Sequence, residues 1–216
     1  MGIGPYERGV WLRFGRVSIT GGFVLMAALV FLFDSGGLVP LIVFVALVHE
    51  LGHFAAIRVF GGRVLRLHLG LVGLRIDYEG RRVGYGGEIV IALMGPIFNL
   101  GLAYGASLFG RHVGSEGAFF LAGVSLGAAV FNLLPIYQLD GGRALYCFMA
   151  WTVDADWAAR VICVLSCVLI FAMLAAGVVL FLWSGWNFTL LTAAVWLLIS
   201  YCKSEGSAVR CVVREF

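Results

Sequence analysis

The feature that most constrains this chain is a series of long apolar runs with few charges. Away from water, such a run must pair its own backbone groups, which a helix does within one segment, and near 20 residues that helix is long enough to cross a bilayer. Six runs fit, at about Val17–Phe33, Leu38–Ile57, Ile89–Phe109, Gly117–Leu134, Val161–Leu182 and Phe188–Tyr201. Composition agrees. Of 216 residues, 62% are hydrophobic and 12% charged, against about 25% charged in a typical soluble domain. Too little polar surface remains to face water. The expected fold is an all-α polytopic membrane protein with six transmembrane helices, forming a single domain over 1–216.

Basic residues favour the cytoplasmic side of short loops. With the N-terminus inside, all of the 15 Lys+Arg except Arg111 fall inside. Both termini are therefore expected in the cytoplasm. Trp11, Trp151, Trp157, Trp183 and Trp186 fall near expected helix ends, where interfacial aromatics belong. The first run ends in "VFLFDSGG", without a small-residue cleavage site, and reads as a retained signal anchor. The five cysteines form no C-x-x-C pair. Cys163 and Cys167 share a helical face and could bind metal, though small apolar packing explains them more simply.

Within the second run stands "HELGH", residues 49 to 53. Ionisable groups are costly in lipid and usually functional there. At 100° per residue His49 and His53 lie 40° apart on the helix wheel and one turn apart along it, so both imidazoles can reach one cation. Zinc suits two imidazoles and a carboxylate with a fourth position open. Such an ion lowers the pKa of a bound water to about 7, and Glu50 is placed to move protons as general base. The blander alternative is a pair of buried, hydrogen-bonded histidines with Glu50 in an ion pair.

A third ligand is needed. His68 belongs to a loop, His112 to the opposite side, and Asp77 and Glu79 to an Arg-rich segment. Asp140 remains, in "FNLLPIYQLDGGRALY", at the cytoplasmic end of the fourth run. Pro135 would break the helix and let the chain turn Asp140 back toward the metal. Taken alone, Asp140 would read as the N-cap of a following helix; beside H-E-x-x-H it reads as the ligand.

The strings "HELGH" and "NLLPIYQLDGG" resemble the site-2 protease family of intramembrane zinc metalloproteases, and their wording and the short chain are most similar to its sporulation-type branch. The resemblance implies one zinc ion on His49, His53 and Asp140, Glu50 as general base, and Asn132 as a group that positions the substrate backbone. It implies hydrolysis of a peptide bond in or near the transmembrane segment of a membrane-tethered regulator, such as an anti-sigma factor or a transcription-factor precursor, in a prokaryotic cell membrane. A regulatory membrane partner is compatible with it; a nucleic-acid partner is not expected. The family often has a second proline where this chain has Gln138, and no PDZ or CBS domain is expected here. "MGPIFNLG" is similar to the family's G-P-x-x-N string, with Pro96 and Asn99 as an active-site wall that contacts substrate or, alternatively, a packing kink.

Residues 62–86 are different. Leu65, Leu67, Leu69 and Leu71 alternate with Arg66, His68 and Gly70, a period of two that predicts a short membrane-associated β-hairpin between helices two and three, with its turn near Glu79–Gly80. Its edge could pair with an unwound substrate, or its arginines could lie on lipid phosphates. A transporter would need a second His or acidic cluster along a path, and helices one, five and six contain none. A catalytically dead relative would need a damaged metal set, yet all four residues are present.

Overall fold

The structure is a computed structural model that describes residues 11–14, 17–20, 37–70, 73–79, 83–184 and 188–214. Among these, six helices form: α1 (Leu38–Val59), α2 (Tyr85–Val113), α3 (Glu116–Asn132), α4 (Asp140–Thr152), α5 (Ala155–Ser184) and α6 (Thr189–Arg214). α1, α2 and α5, at 22, 29 and 30 residues, are long and apolar enough to cross a membrane. At about 1.5 Å per residue each exceeds the roughly 30 Å of a hydrocarbon core. α3 and the Leu190–Cys202 part of α6 are apolar but shorter.

The first expected helix needs correction at its start. Val17–Thr20 is a strand, β2, paired antiparallel with β1 (Trp11–Phe14). Three of its four residues are β-branched, which favours extended backbone, and counting apolar residues without their period hides this. The remainder of that expected helix lies outside the described residues. β2 also runs parallel to β3 (Arg63–Gly70), which pairs antiparallel with β4 (Gly73–Glu79), giving the order β1-β2-β3-β4. The reversal falls between the paired Gly70 and Gly73, while Glu79 lies at the far end of β4 opposite Arg63. The expected turn at Glu79–Gly80 is thus displaced, because the two glycines that bracket a short connection outweigh the Glu-Gly pair as a turn signal.

α2 is the central helix and packs against α1, α3 and α4. Its buried residues, Ile91, Ala92, Gly95, Pro96, Asn99, Ala103, Ala106 and Gly110, follow a three-and-four spacing along one face. Most are small, which lets neighbouring backbones come close. α1 answers with Val45, His49, Gly52 and Ala56 on its own buried stripe. A Cβ on Gly52 would strike the backbone carbonyl of Met94, so α1 and α2 touch main chain to main chain at that point. The outward faces are apolar, with Leu47 58% and Leu51 56% exposed, the surface a bilayer would cover.

The ends of the elements explain the connections. Pro40 lies in the first turn of α1, where its missing N–H leaves no helical bond unmade. α2 stops at Gly114, whose φ of 71° is the left-handed value that favours glycine. Ser115 then caps α3 by accepting from the Ala118 N–H. After α3 the chain enters the core instead of looping over the surface. Ile136 is 0% exposed and, with Leu139, packs among Ile170, Leu197 and Tyr201 from α5 and α6. The Tyr137 N–H donates to the Ser166 hydroxyl at 2.9 Å. Cys163 and Cys167 pack against this cluster, and the Cys163 thiol sits 2.6 Å from the Tyr201 hydroxyl. They fill space there, outside the one metal-competent group among the described residues.

Replacing Gly52 by Ala should push α1 from α2 and destabilise the fold by about 1–3 kcal/mol, the usual cost of overpacking. Unfolding of the detergent-purified chain would measure it; wild-type stability would refute the close approach.

Candidate metal centre

His49 and His53 stack one turn apart on α1, with ring centroids 4.7 Å apart and planes at 77°. The His53 Nδ1–H donates to the Ile91 carbonyl of α2 at 2.8 Å. A carbonyl only accepts, so Nδ1 carries the proton and the neutral ring turns a bare Nε2 inward. His49 Nε2 lies 3.0 Å from it. On its other side, His49 Nδ1 lies 3.2 Å from the Asn99 amide nitrogen.

Asp140 arrives from far along the chain. Its Oδ2 lies 2.9 Å from His49 Nε2 and 3.4 Å from His53 Nε2. The alternative reading of Asp140 as an N-cap does not hold: the N-cap of α4 is Leu139, and no side chain caps the helix. Asp140 is the first helical residue, turned toward α1. Two glycines permit this. A Cβ on Gly141 would strike the Leu133 carbonyl, and one on Gly142 the Ile136 carbonyl, so the turn that follows Asn132 folds tightly against the start of α4.

Gly95 forms the floor. A Cβ there would come within 2.7 Å of His49 Nε2 and 2.6 Å of His53 Cε1, and would collide with His53 Nε2. The imidazoles thus rest on bare α2 backbone. His49, His53 and Asp140 are the one group of His, Cys, Asp or Glu among the described residues with atoms close enough to share a metal ion. Their separations of 2.9 to 3.4 Å match the roughly 3.3 Å expected between donors of a tetrahedral zinc with bonds of about 2.0–2.1 Å. Two imidazole nitrogens and a carboxylate are the donor set this ion prefers. The residues present therefore fit the group.

A cleft of about 250 Å³ adjoins the cluster, lined by His49, Glu50, Asn99 and Asn132 with apolar walls including Val45 and Val124. Glu50 is half-buried, within electrostatic reach of His53, His49 and Asp140. Asn132 donates to the Ala128 carbonyl one turn earlier at 3.0 Å. Asn99 is 1% exposed. All six residues singled out from the sequence thus meet at one place. Sequence reasoning missed the supports: Gly95, the Ile91 carbonyl, and Ser125, whose hydroxyl donates to the Asn99 backbone carbonyl at 2.9 Å. It also missed the ion pair of Glu88 in the first turn of α2 with Arg143 of α4. Gly95, directly before Pro96 in an apolar helix, was the one legible signal among these; a backbone carbonyl leaves none. At Gln138, where a proline was expected, both side-chain amide atoms are buried without a partner among the described residues.

No family model matches the chain. It is 31% identical over 110 residues to stage IV sporulation protein FB of Bacillus subtilis (strain 168), a match covering 47% of this chain and 36% of that protein. The chain thus spans about a third of the curated relative's length. Its fold is similar to that of the site-2 protease from Methanocaldococcus jannaschii, with a TM-score of 0.66 and 18% identity, over 90% of this chain and 94% of the other. The likeness to the first is one of sequence over part of each chain, and the likeness to the second is one of fold.

Proposed function

We propose that the chain is an intramembrane zinc metalloprotease that hydrolyses a peptide bond in or near the transmembrane segment of a membrane-tethered regulatory protein. One observation carries the reading. Three donor atoms from α1 and α4, on one buried and two half-buried side chains, converge within 3.4 Å of one another, inside a bundle whose other buried side chains are mostly apolar. Such a cluster is expensive unless a cation or a proton joins it. His49, His53 and Asp140 would hold the ion.

Zinc, when bound there, makes a water acidic near neutral pH and polarises a carbonyl. The chain's own residues do the rest. Glu50, at the cleft wall beside the cluster, takes the proton from the attacking water and delivers it to the leaving amine. Asn132 faces the same cleft and hydrogen-bonds the substrate backbone, with Asn99 as the wall behind it. The apolar sides of the cleft take up substrate side chains and keep bulk water away, which strengthens each polar contact inside. A substrate helix must unwind before cleavage, and the edge of the β3–β4 pair is suited to replace its lost hydrogen bonds.

The reading extends to topology. Arg58 lies in the last turn of α1, about 8–14 Å along the helix axis from His53 and His49 at 1.5 Å per residue. With the basic residues and both termini in the cytoplasm, the site lies in the cytoplasmic half of the membrane and water enters from that side. The substrate class that fits is a single-pass regulator such as an anti-sigma factor or transcription-factor precursor.

Co-expression with single-pass candidates tests this. Glu50→Gln should keep its zinc while cleavage falls by about 100-fold or more, the usual range for a lost general base; persistent cleavage would remove Glu50 from that role. Asp140→Asn should weaken zinc retention, measured by metal analysis of the purified chain, and unchanged content would strike Asp140 from the ligands. Gly95→Ala puts a methyl group where the imidazole nitrogens sit. It should lose both zinc and cleavage, and full zinc occupancy in that variant would contradict the geometry.

A further inference from the structure

Asn99 has two attachments. Its backbone carbonyl accepts from Ser125 of α3 at 2.9 Å, and its side-chain Nδ2 faces His49 Nδ1 at 3.2 Å. Its Oδ1 is buried with no partner among the described residues. This arrangement suits one tautomer only. An amide N–H can be accepted only by an unprotonated Nδ1, so the ring proton of neutral His49 sits on Nε2, 2.9 Å from Asp140 Oδ2.

A cation at the cluster requires the opposite. His49 Nε2 must then be bare and Nδ1 protonated. With Asn99 as it stands, two N–H groups would oppose each other at 3.2 Å, each without an acceptor in a buried place, at considerable cost. A half-turn of the Asn99 amide exchanges two atoms of nearly equal size and needs no extra room. One amide atom stays unpartnered in either orientation, so the choice rests on what His49 Nδ1 carries.

We infer that, in the metal-loaded chain, Asn99 presents Oδ1 to the His49 Nδ1–H and so selects the metal-binding tautomer of His49. Asn99 is a positioning residue, and it acts on the ligand more directly than on the substrate. The two histidines are held differently. The Ile91 carbonyl can only accept, so His53 is locked in its metal-binding tautomer, whereas His49 faces a group able to serve either tautomer. Partners of this kind usually change metal affinity about 10–100-fold.

The inference rests on the metalloprotease reading, and the full-length chain in detergent micelles tests both separately. Zinc affinity is measured by chelator competition for wild type, Asn99→Leu and Asn99→Asp, with folding checked by gel filtration. Leucine has a similar volume and no acceptor, and should bind zinc about 10–100-fold more weakly. An aspartate carboxylate accepts but cannot donate, and should bind at least as tightly as wild type. Wild-type affinity in Asn99→Leu, or a leucine-like loss in Asn99→Asp, overturns the inference. If Asn99→Leu does not fold, Asn99→Asp decides alone. A wild-type chain that holds no zinc overturns the metalloprotease reading and this inference with it, a result seen before any variant is compared.

Discussion

The close approach of α1 and α2 is the constraint on which the rest depends. Gly52 admits the carbonyl of Met94, and Gly95 leaves its backbone bare beneath two imidazoles. Between these contacts the His53 ring reaches the Ile91 carbonyl and the His49 ring reaches Asn99. Without side chains at Gly52 and Gly95 the helices can pack nearly backbone to backbone. Any larger residue at Gly95 would occupy the place where the nitrogens converge.

Small residues carry a further consequence in an apolar setting. Lipid tails are as apolar as the helices, so burying more leucine draws α1 toward α2 only weakly, and association relies on close packing and hydrogen bonds. The chain uses both at one level of the bundle. Ser125 ties α3 to α2 through the Asn99 carbonyl, and His53 ties α1 to α2. At the other end of the site, Glu88 and Arg143 join α2 to α4. These bonds surround the cluster on the sides from which its residues come. The energy of assembling the bundle and the orientation of the donor atoms thus arise from the same contacts.

The loop between α3 and α4 shows how a distant residue is delivered. Asp140 is placed less by Pro135 than by the anchors on either side of it. Ile136 and Leu139 are buried against α5 and α6, Ser166 holds the Tyr137 N–H, and Gly141 and Gly142 accept the folded-back main chain. α5 and α6 contribute nothing to the cluster itself, yet they hold the segment that does. The buried Gln138 amide lies in this same segment, at the position where a proline would have stiffened the backbone directly.

Much of the site was legible because lipid makes polar residues conspicuous. His49, Glu50 and His53 stand out in an apolar run, and helical spacing alone places the two rings on one face. Elements were read less evenly. Five helices, α1, α2, α3, α5 and α6, followed from apolar length, whereas the shorter α4 was not among the apolar runs, Val17–Thr20 was misread since a four-residue strand is as apolar as the start of a helix, and the β3–β4 reversal was assigned to the wrong glycine. By itself, then, the amino-acid order determined the class of fold, the paired imidazoles and the identity of the acid that could join them, because each is a local matter of composition or spacing. Tertiary structure alone decided that Asp140 Oδ2 meets both rings, that Gly95 is their floor, and that Ile91 and Asn99 face the outer nitrogens. Those are distances between segments far apart in the chain, and packing, which no local pattern encodes, sets them.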